Sequence, residues 1–324
     1  MATQETVTQR TSFAQAFGAI SDNIERVIQG KPEVVQLALL CLVSQGHLLI
    51  EDVPGVGKTS LAKALARSID CPFGRIQFTP DLLPSDVVGV TVWNRSDGRF
   101  EFRPGPVFAP IVLGDEINRA SPKTQSALLE AMAEGQVTVD NVTYPLGSPF
   151  MVIATQNPIE HEGTYPLPES QLDRFLMRVS VGYPARNAEI DVLDAHGDHT
   201  TLDDIGAVVA PGDVESMIVA ARAVHVAPSL KAYLVDLADT TRRHPQFALG
   251  MSPRATLSLM RVGRAKAAAD GRAYVLPDDL KSLAGPVLAH RLLVTAEAQL
   301  QGASSSDLLD EILRTVPVPT DTTP

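Results

Sequence analysis

Gly55, Gly57, Lys58 and Thr59 stand close together in the stretch EDVPGVGKTS, residues 51–60. Glycines let backbone N–H groups close around oxygen atoms, a Lys puts a positive charge beside them, and a hydroxyl can hold a divalent cation. These residue types in this order suit a bound phosphate. The loop runs through Asp52, Val53, Pro54, Gly55, Val56, Gly57, Lys58, Thr59 and Ser60. It departs from the usual phosphate loop at one place, because Asp52 occupies the position of the first glycine. Taken alone, the stretch is also compatible with a strand, a turn and a helix that carries a surface Lys.

Asp115 and Glu116 follow the apolar run IVLG, 57 residues after Lys58. An acidic pair at a strand's C-terminal end can hold a metal with one carboxylate and activate water with the other. Sheets of this kind bind ligands at that edge. Asn157 ends the next apolar run, MVIATQN, and reaches the same edge, although an Asn before Pro also caps turns. Arg174 lies in QLDRFLMRV. Arg254 falls in the first turn of a helix that Ser252 would cap. A cation is poorly placed at a helix N-terminus, and a bound phosphate would compensate it.

The elements that must position these residues alternate. A helical stretch, FAQAFGAISDNIERVI, ends at Gly30, a second follows in EVVQLALLCLVSQ, and HLLIED is a strand leading into the glycine loop. APIVLGDE and PFMVIATQNP are strands apolar on both faces. A helix lies between them with Ser121 as N-cap, Pro122 at its first position and Gly135 past its end. GVTVWNRSDGRFEF and GQVTVDNVTYPL read as two β-hairpins turning at Asp97-Gly98 and Asp140-Asn141. Trp93, the sole Trp, sits near the first turn; it either pins the hairpin to the sheet or touches a partner. Strands buried on both sides and alternating with helices predict an α/β fold with a parallel sheet flanked by helices. From about residue 213 the chain reads as helical, over 214–225, 229–243, 253–270, 277–298 and 306–314.

With 44% apolar residues the chain can fill a sizeable core, and a net charge of −11 argues against broad binding to nucleic acid or anionic lipid. Cys41 and Cys71 read as core thiols of a reducing compartment. The polar start MATQETVTQRTSF lacks a signal core, and the longest apolar run is too short for a membrane span. The expected location is cytoplasmic.

Four passages together resemble the MoxR family of AAA+ ATPases: EDVPGVGKTSLAKALA, GDEINRASPKTQSALLEAM, IATQNPIEHEGTYPLPESQLDRFLMRV and SPRATLSLMRVGRAKAAADGRAYVLPDDL. The similarity spans about residues 12–300, and the family accommodates an acidic residue at the Asp52 position. The resemblance implies an AAA+ P-loop core over 1–188 with a five-stranded parallel sheet and two hairpin insertions. A linker over 189–212 and a smaller all-α lid over 213–316 would follow, and the tail over 317–324 reads as disordered from its low-complexity composition. The resemblance further implies ATP as substrate with Mg²⁺, Lys58 on the outer phosphates and Thr59 on the metal. Asp115 and Glu116 would be the Walker B pair and Asn157 the polar sensor of the γ-phosphate. Arg174 would be a finger reaching a neighbouring subunit, and Arg254 the sensor in the lid. The VIQGK segment at Gly30 would lie against adenine, and the hairpins would face a pore or substrate. A ring hexamer, a client protein and a separately encoded von Willebrand A-type partner complete what the family implies. Gly114, where larger residues are common, and Leu276, where a Thr cap is commoner, are departures from its pattern.

Other readings fit less well. NRSD at 94–97 mimics a guanine-reading motif but precedes the Asp115 strand instead of following it. His196, Asp198 and His199, like His161 and Glu162, read as solvated loop residues and not as metal ligands. A nucleotide-gated scaffold with little hydrolysis would need neither Glu116 nor Arg174. A DNA-linked AAA+ motor sits poorly with the acidic charge and with the lack of an attached DNA-binding module.

Overall fold

Five strands form the central sheet: β1 (Leu48–Glu51), β2 (Phe73–Gln77), β5 (Ile111–Asp115), β8 (Met151–Gln156) and β9 (Met177–Val179). They belong to a computed structural model that describes residues 2–158, 163–183, 186 and 202–319. His161, Glu162, His196, Asp198, His199, much of the 189–212 linker and residues 320–324 of the expected tail lie outside the described residues. The strand order is β2-β5-β8-β1-β9, and β2–β5, β5–β8 and β8–β1 pair in parallel. β1, β5 and β8 are buried along almost their whole length, which explains their unbroken apolar runs. Because neighbouring strands run the same way, the loops leaving β1, β5 and β8 emerge side by side at one edge.

The chain divides into two compact units. One comprises Gly18–Phe175 and Val179–Glu215; the other comprises Met1–Phe17, Leu176–Arg178 and Ser216–Pro324. Helix α1 (Ala2–Glu25) begins well before the stretch in which helical periodicity is legible, and α2 (Pro32–Val43) precedes β1. α3 (Lys58–Ser68) follows the glycine loop and buries Leu61, Ala62, Leu65 and Ala66. α5 (Pro122–Glu134) begins and ends as expected: the Ser121 hydroxyl accepts from the Thr124 N–H, and Gly135 takes a left-handed conformation. Leu128 and Met132 on its inner face pack with Phe78, Val112, Val152 and Phe175 in the core. A side chain at Gly114 would come within 3.2 Å of Leu128 and 3.3 Å of Phe78, so those two residues fill the space a larger residue would take.

Short α4 (Pro84–Val88) leads into the first hairpin, β3 (Gly89–Asn94) with β4 (Arg99–Pro104), in which Trp93 faces Phe100. Its connection spans Arg95–Gly98, and Asn94 Oδ1 accepts from the Ser96 N–H at 3.0 Å. The second hairpin, β6 (Gln136–Val139) with β7 (Val142–Pro145), turns on Asp140 and Asn141, both at positive φ. Phe102 stacks on Tyr144 at 4.1 Å, which joins the two hairpins. Short α6 (Glu169–Leu172) precedes β9.

The second unit is helical, with α7 (Pro211–Ala223) leading in, then α8 (Pro228–Arg243), α9 (Pro253–Ala269) and α10 (Pro277–Leu288). The single helix expected over 277–298 is a correction: α10 ends at Leu288, a 3₁₀ turn covers Ala289–Arg291, and β11 (Leu293–Val294) pairs antiparallel with β10 (Phe247–Leu249). Thr295 then caps α11 (Ala296–Leu300) through the Ala298 N–H, and α12 (Ser305–Thr315) is the last helix among the described residues. Two ladder positions and a fresh Thr cap outcompete continuation of the helix. Leu276 offers α10 no side-chain cap. Asp279 instead accepts from the Leu276 N–H at 2.7 Å and takes a forked pair from Arg272 at 2.6 and 2.7 Å. These bonds to Asp279 hold the Arg272 guanidinium above its usual pKa. Arg272→Ala leaves a buried carboxylate without its cation and should lower the stability of this unit by roughly 3 kcal/mol. Arg272→Lys, which cannot form the fork, should recover only part of that loss in chemical denaturation.

Candidate active site

The glycine loop turns tightly because Gly55 and Gly57 sit at φ +85° and +89°, a region closed to most side chains. Gly57 is the N-cap of α3, and no side chain caps the amides of that helix's first turn. The helix therefore presents open N–H donors and the positive end of its dipole to whatever lies in front of it. Lys58 Nζ donates to the Asp52 carbonyl at 2.8 Å. Burial pushes the Lys58 pKa below its usual value, against the pull of the Asp115, Asp52 and Glu116 carboxylates. Ile28, in the segment that ends at Gly30, lies 3.9 Å from where a side chain on Gly57 would begin. The stretch after α1 thus runs beside the loop.

Asp52 serves the loop as an anchor. Its Oδ2 accepts from the Gly182 N–H at 2.6 Å and from the Ser180 hydroxyl at 2.9 Å, and its Oδ1 accepts from the Val53 N–H at 2.8 Å. Burial alone would raise its pKa, but these donors outweigh it and hold the carboxyl below 3.8. The side chain in the place of the missing glycine therefore ties the start of the loop to the chain leaving β9.

At the end of β5, Asp115 Oδ2 takes an ion pair from Arg75 at 2.7 Å, and Asp115 Oδ1 accepts from the Thr155 hydroxyl at 2.8 Å. Glu116 Oε2 accepts from Gln77 at 3.1 Å and pairs with Arg119 at 3.3 Å. Sequence reasoning missed Arg75, Gln77, Thr155 and Arg119. Thr155 left a signal, since it is a polar residue inside an otherwise apolar buried strand two places before Asn157. Arg75 and Gln77 alternate on β2, a strand too polar to stand out by hydropathy.

Pro54, Gly55, Gly57, Lys58, Thr59, Ser60, Asp115, Glu116 and Asn157 together line one cleft of about 340 Å³. Asp52, Val53 and Val56 belong to the loop, and Gly30 to the neighbouring segment, without lining the cleft. Arg174 lies elsewhere: its Nη1 donates to the Leu129 carbonyl at 2.7 Å, and it borders a second cleft with Ser126, Glu130 and Gln171. Arg254 is on the exposed first turn of α9 in the second unit, where Ser252 caps the helix through the Ala255 N–H.

The profile of the ATPase family associated with various cellular activities (AAA) matches residues 47–177, and that of the AAA lid domain matches 239–312. Chaperone MoxR1 of Mycobacterium tuberculosis is 40% identical over 91% of this chain and 80% of its own length. Protein MoxR of Paracoccus denitrificans is 32% identical over 90% of this chain and 93% of its own length. The chain belongs to the MoxR family of AAA+ ATPases. YeaC of Bacillus subtilis, an uncharacterised protein, is 49% identical to this MoxR-family chain over 93% of it and 94% of YeaC. A crystal structure of a protein from Cytophaga hutchinsonii superposes with a TM-score of 0.92 at 37% identity, covering 99% of this chain and all of that one. Among the described residues no helix is long and apolar enough to cross a membrane.

The donors fit the substrate and metal that the family implies. Uncapped amides and Lys58 border the cleft, and the oxygens of Thr59 and Asp115 suit a hard divalent cation. Asp52→Gly would make the loop match the common pattern more closely, yet it should destabilise the protein by about 3 kcal/mol at neutral pH by stranding the Gly182 and Ser180 donors. Because the folded pKa of Asp52 lies below 3.8, the carboxylate's contribution is present above that pH and lost as pH falls through the folded value. Melting curves of parent and variant should therefore converge in acid.

Proposed function

We propose that this MoxR-family chain hydrolyses ATP to ADP and phosphate with Mg²⁺, and uses the cycle to remodel a client protein. The convergence of Lys58, Thr59, Asp115, Glu116 and Asn157 on one cleft carries the reading. The loop amides and Lys58 bind the triphosphate, Thr59 and Asp115 would hold Mg²⁺, and the metal would supply positive charge against the phosphate oxygens. Glu116 orients the attacking water and accepts its proton, and Asn157 lies beside the γ-phosphate. Arg174 acts on the nucleotide of a neighbouring subunit. Its place outside the cleft of its own chain favours that role and a ring assembly, with a hexamer as the expected size. Arg254 reports the nucleotide state to the lid.

The client role rests on the relative named Chaperone MoxR1, with the protein named MoxR beside it. A von Willebrand A-type partner comes with the family resemblance, and a cytoplasmic location with the composition and cysteine usage. The first hairpin offers a surface for the client, since Trp93 is 53% exposed and Phe100 70%, the two rings edge-on at 5.0 Å.

Glu116→Gln should keep ATP binding and lose turnover, whereas Lys58→Ala should lose binding; a fluorescent nucleotide titration beside a phosphate-release assay separates the two. Arg174→Ala should lower turnover strongly, on the order of 10³-fold. Mixing Arg174→Ala with Glu116→Gln under conditions of subunit exchange should restore part of the activity, because some interfaces regain both groups. No recovery despite verified exchange contradicts action in trans. Parental turnover by Glu116→Gln contradicts the assignment of the base.

A further inference from the structure

Glu116 has φ +57° and ψ +51°, a left-handed backbone in which the Cβ of a non-glycine residue crowds the following carbonyl. Among the described residues the other non-glycine positions at positive φ are Gln45 and Asp70, just past helix ends, and Asp140 and Asn141 in a hairpin turn. Glu116 instead follows a buried strand and lines the cleft. Two bonds hold it there. Its carbonyl accepts from the Arg119 N–H at 2.9 Å, and its own N–H donates to Thr155 Oγ1 at 2.9 Å.

Thr155 is fully buried on the adjacent strand, opposite Ile50 of β1. A hydroxyl has one hydrogen, and a backbone N–H can only donate. The Thr155 oxygen must therefore accept from Glu116, which leaves its hydrogen for Asp115 Oδ1 at 2.8 Å. The bonds run in one direction, from amide to hydroxyl to carboxylate, and polarise one another in a buried setting. The other Asp115 oxygen is held by Arg75. A buried Thr needs some partner wherever it sits, but a purely structural Thr would not need to bond both members of an acidic pair.

We propose that Thr155 is the positioning residue of the acidic pair: through one hydroxyl it holds Glu116 in the left-handed conformation that delivers its side chain to the cleft and fixes the rotation of Asp115. The inference rests on the roles given above to Asp115 and Glu116. Neither isosteric Val nor Ala can take the place of this hydroxyl; Ser can.

The test compares Thr155→Val, Thr155→Ser and Thr155→Cys with the parent in melting temperature, affinity for a fluorescent ATP analogue, and steady-state ATP turnover. Thr155→Val should bind nucleotide within about threefold of the parent while kcat falls roughly 10–100-fold and KM hardly moves. Thr155→Ser should return kcat to within about threefold. Thr155→Cys, whose thiol is a weaker acceptor and donor, should fall between and serves if the Val protein does not fold. In a crystal structure of Thr155→Val, or of Thr155→Cys if only that folds, residue 116 should leave the positive-φ region. Parental kcat in the Val and Cys proteins, failure of Ser to rescue, or residue 116 unchanged in φ would each overturn the proposal. Parental turnover by Glu116→Gln alone would instead overturn the reading of the site, so the two failures are distinguishable.

Discussion

Side-by-side parallel pairing of β5, β8 and β1 is the constraint from which the rest of the first unit follows. Parallel strands cannot be joined by tight turns, so each must be followed by a crossover, and each crossover leaves from the same edge. The glycine loop, the acidic pair and Asn157 meet there because each is the first thing the chain does on leaving its strand. The edge is also fixed laterally. Asp52 ties the loop to the exit of β9, Arg75 ties β2 to Asp115, and Thr155 ties β8 to both acidic residues.

Helix α5 extends this order away from the cleft. Thr124 donates to the Leu82 carbonyl at 2.7 Å, just before the segment that enters the first hairpin. Gln125 is buried and donates to the carbonyls of Ile117, Ala120 and Tyr165, joining the chain after the acidic pair to the chain after Asn157. Further along, the Leu129 carbonyl holds Arg174 and the Met132 carbonyl pairs with His47 at 3.1 Å. Its C-terminal glycine then opens the second hairpin. The chain after the acidic pair, Arg174 and the segments that enter both hairpins are therefore all bonded to one helix or continuous with it.

Much of this was legible because it is written in local chemistry. The glycine loop, the Ser121 and Gly135 boundaries of α5 and the Asp140-Asn141 turn each depend on residues adjacent in sequence. The apolar runs of β5 and β8 likewise announce burial on both faces. What stayed hidden depends on pairing between distant segments. Asp52 looked like a defect in a motif, since its partners lie some 130 residues away. Arg75 and Gln77 gain meaning only once β2 is known to lie beside β5. The break after Leu288 went unseen because the ladder partner of Val294 is Phe247, and helical periodicity across 277–298 gives no sign of that pairing.

On the proposal above, the cleft at the ends of β1, β5 and β8 binds ATP with Mg²⁺. A crystal structure of the protein grown with a non-hydrolysable ATP analogue and Mg²⁺ tests it most directly. The triphosphate should lie against the amides of residues 55–60 and Lys58, and Thr59 and Asp115 should hold the metal. Phosphates bound elsewhere on the protein, or an analogue that stays out of this cleft at saturating concentration, would contradict it.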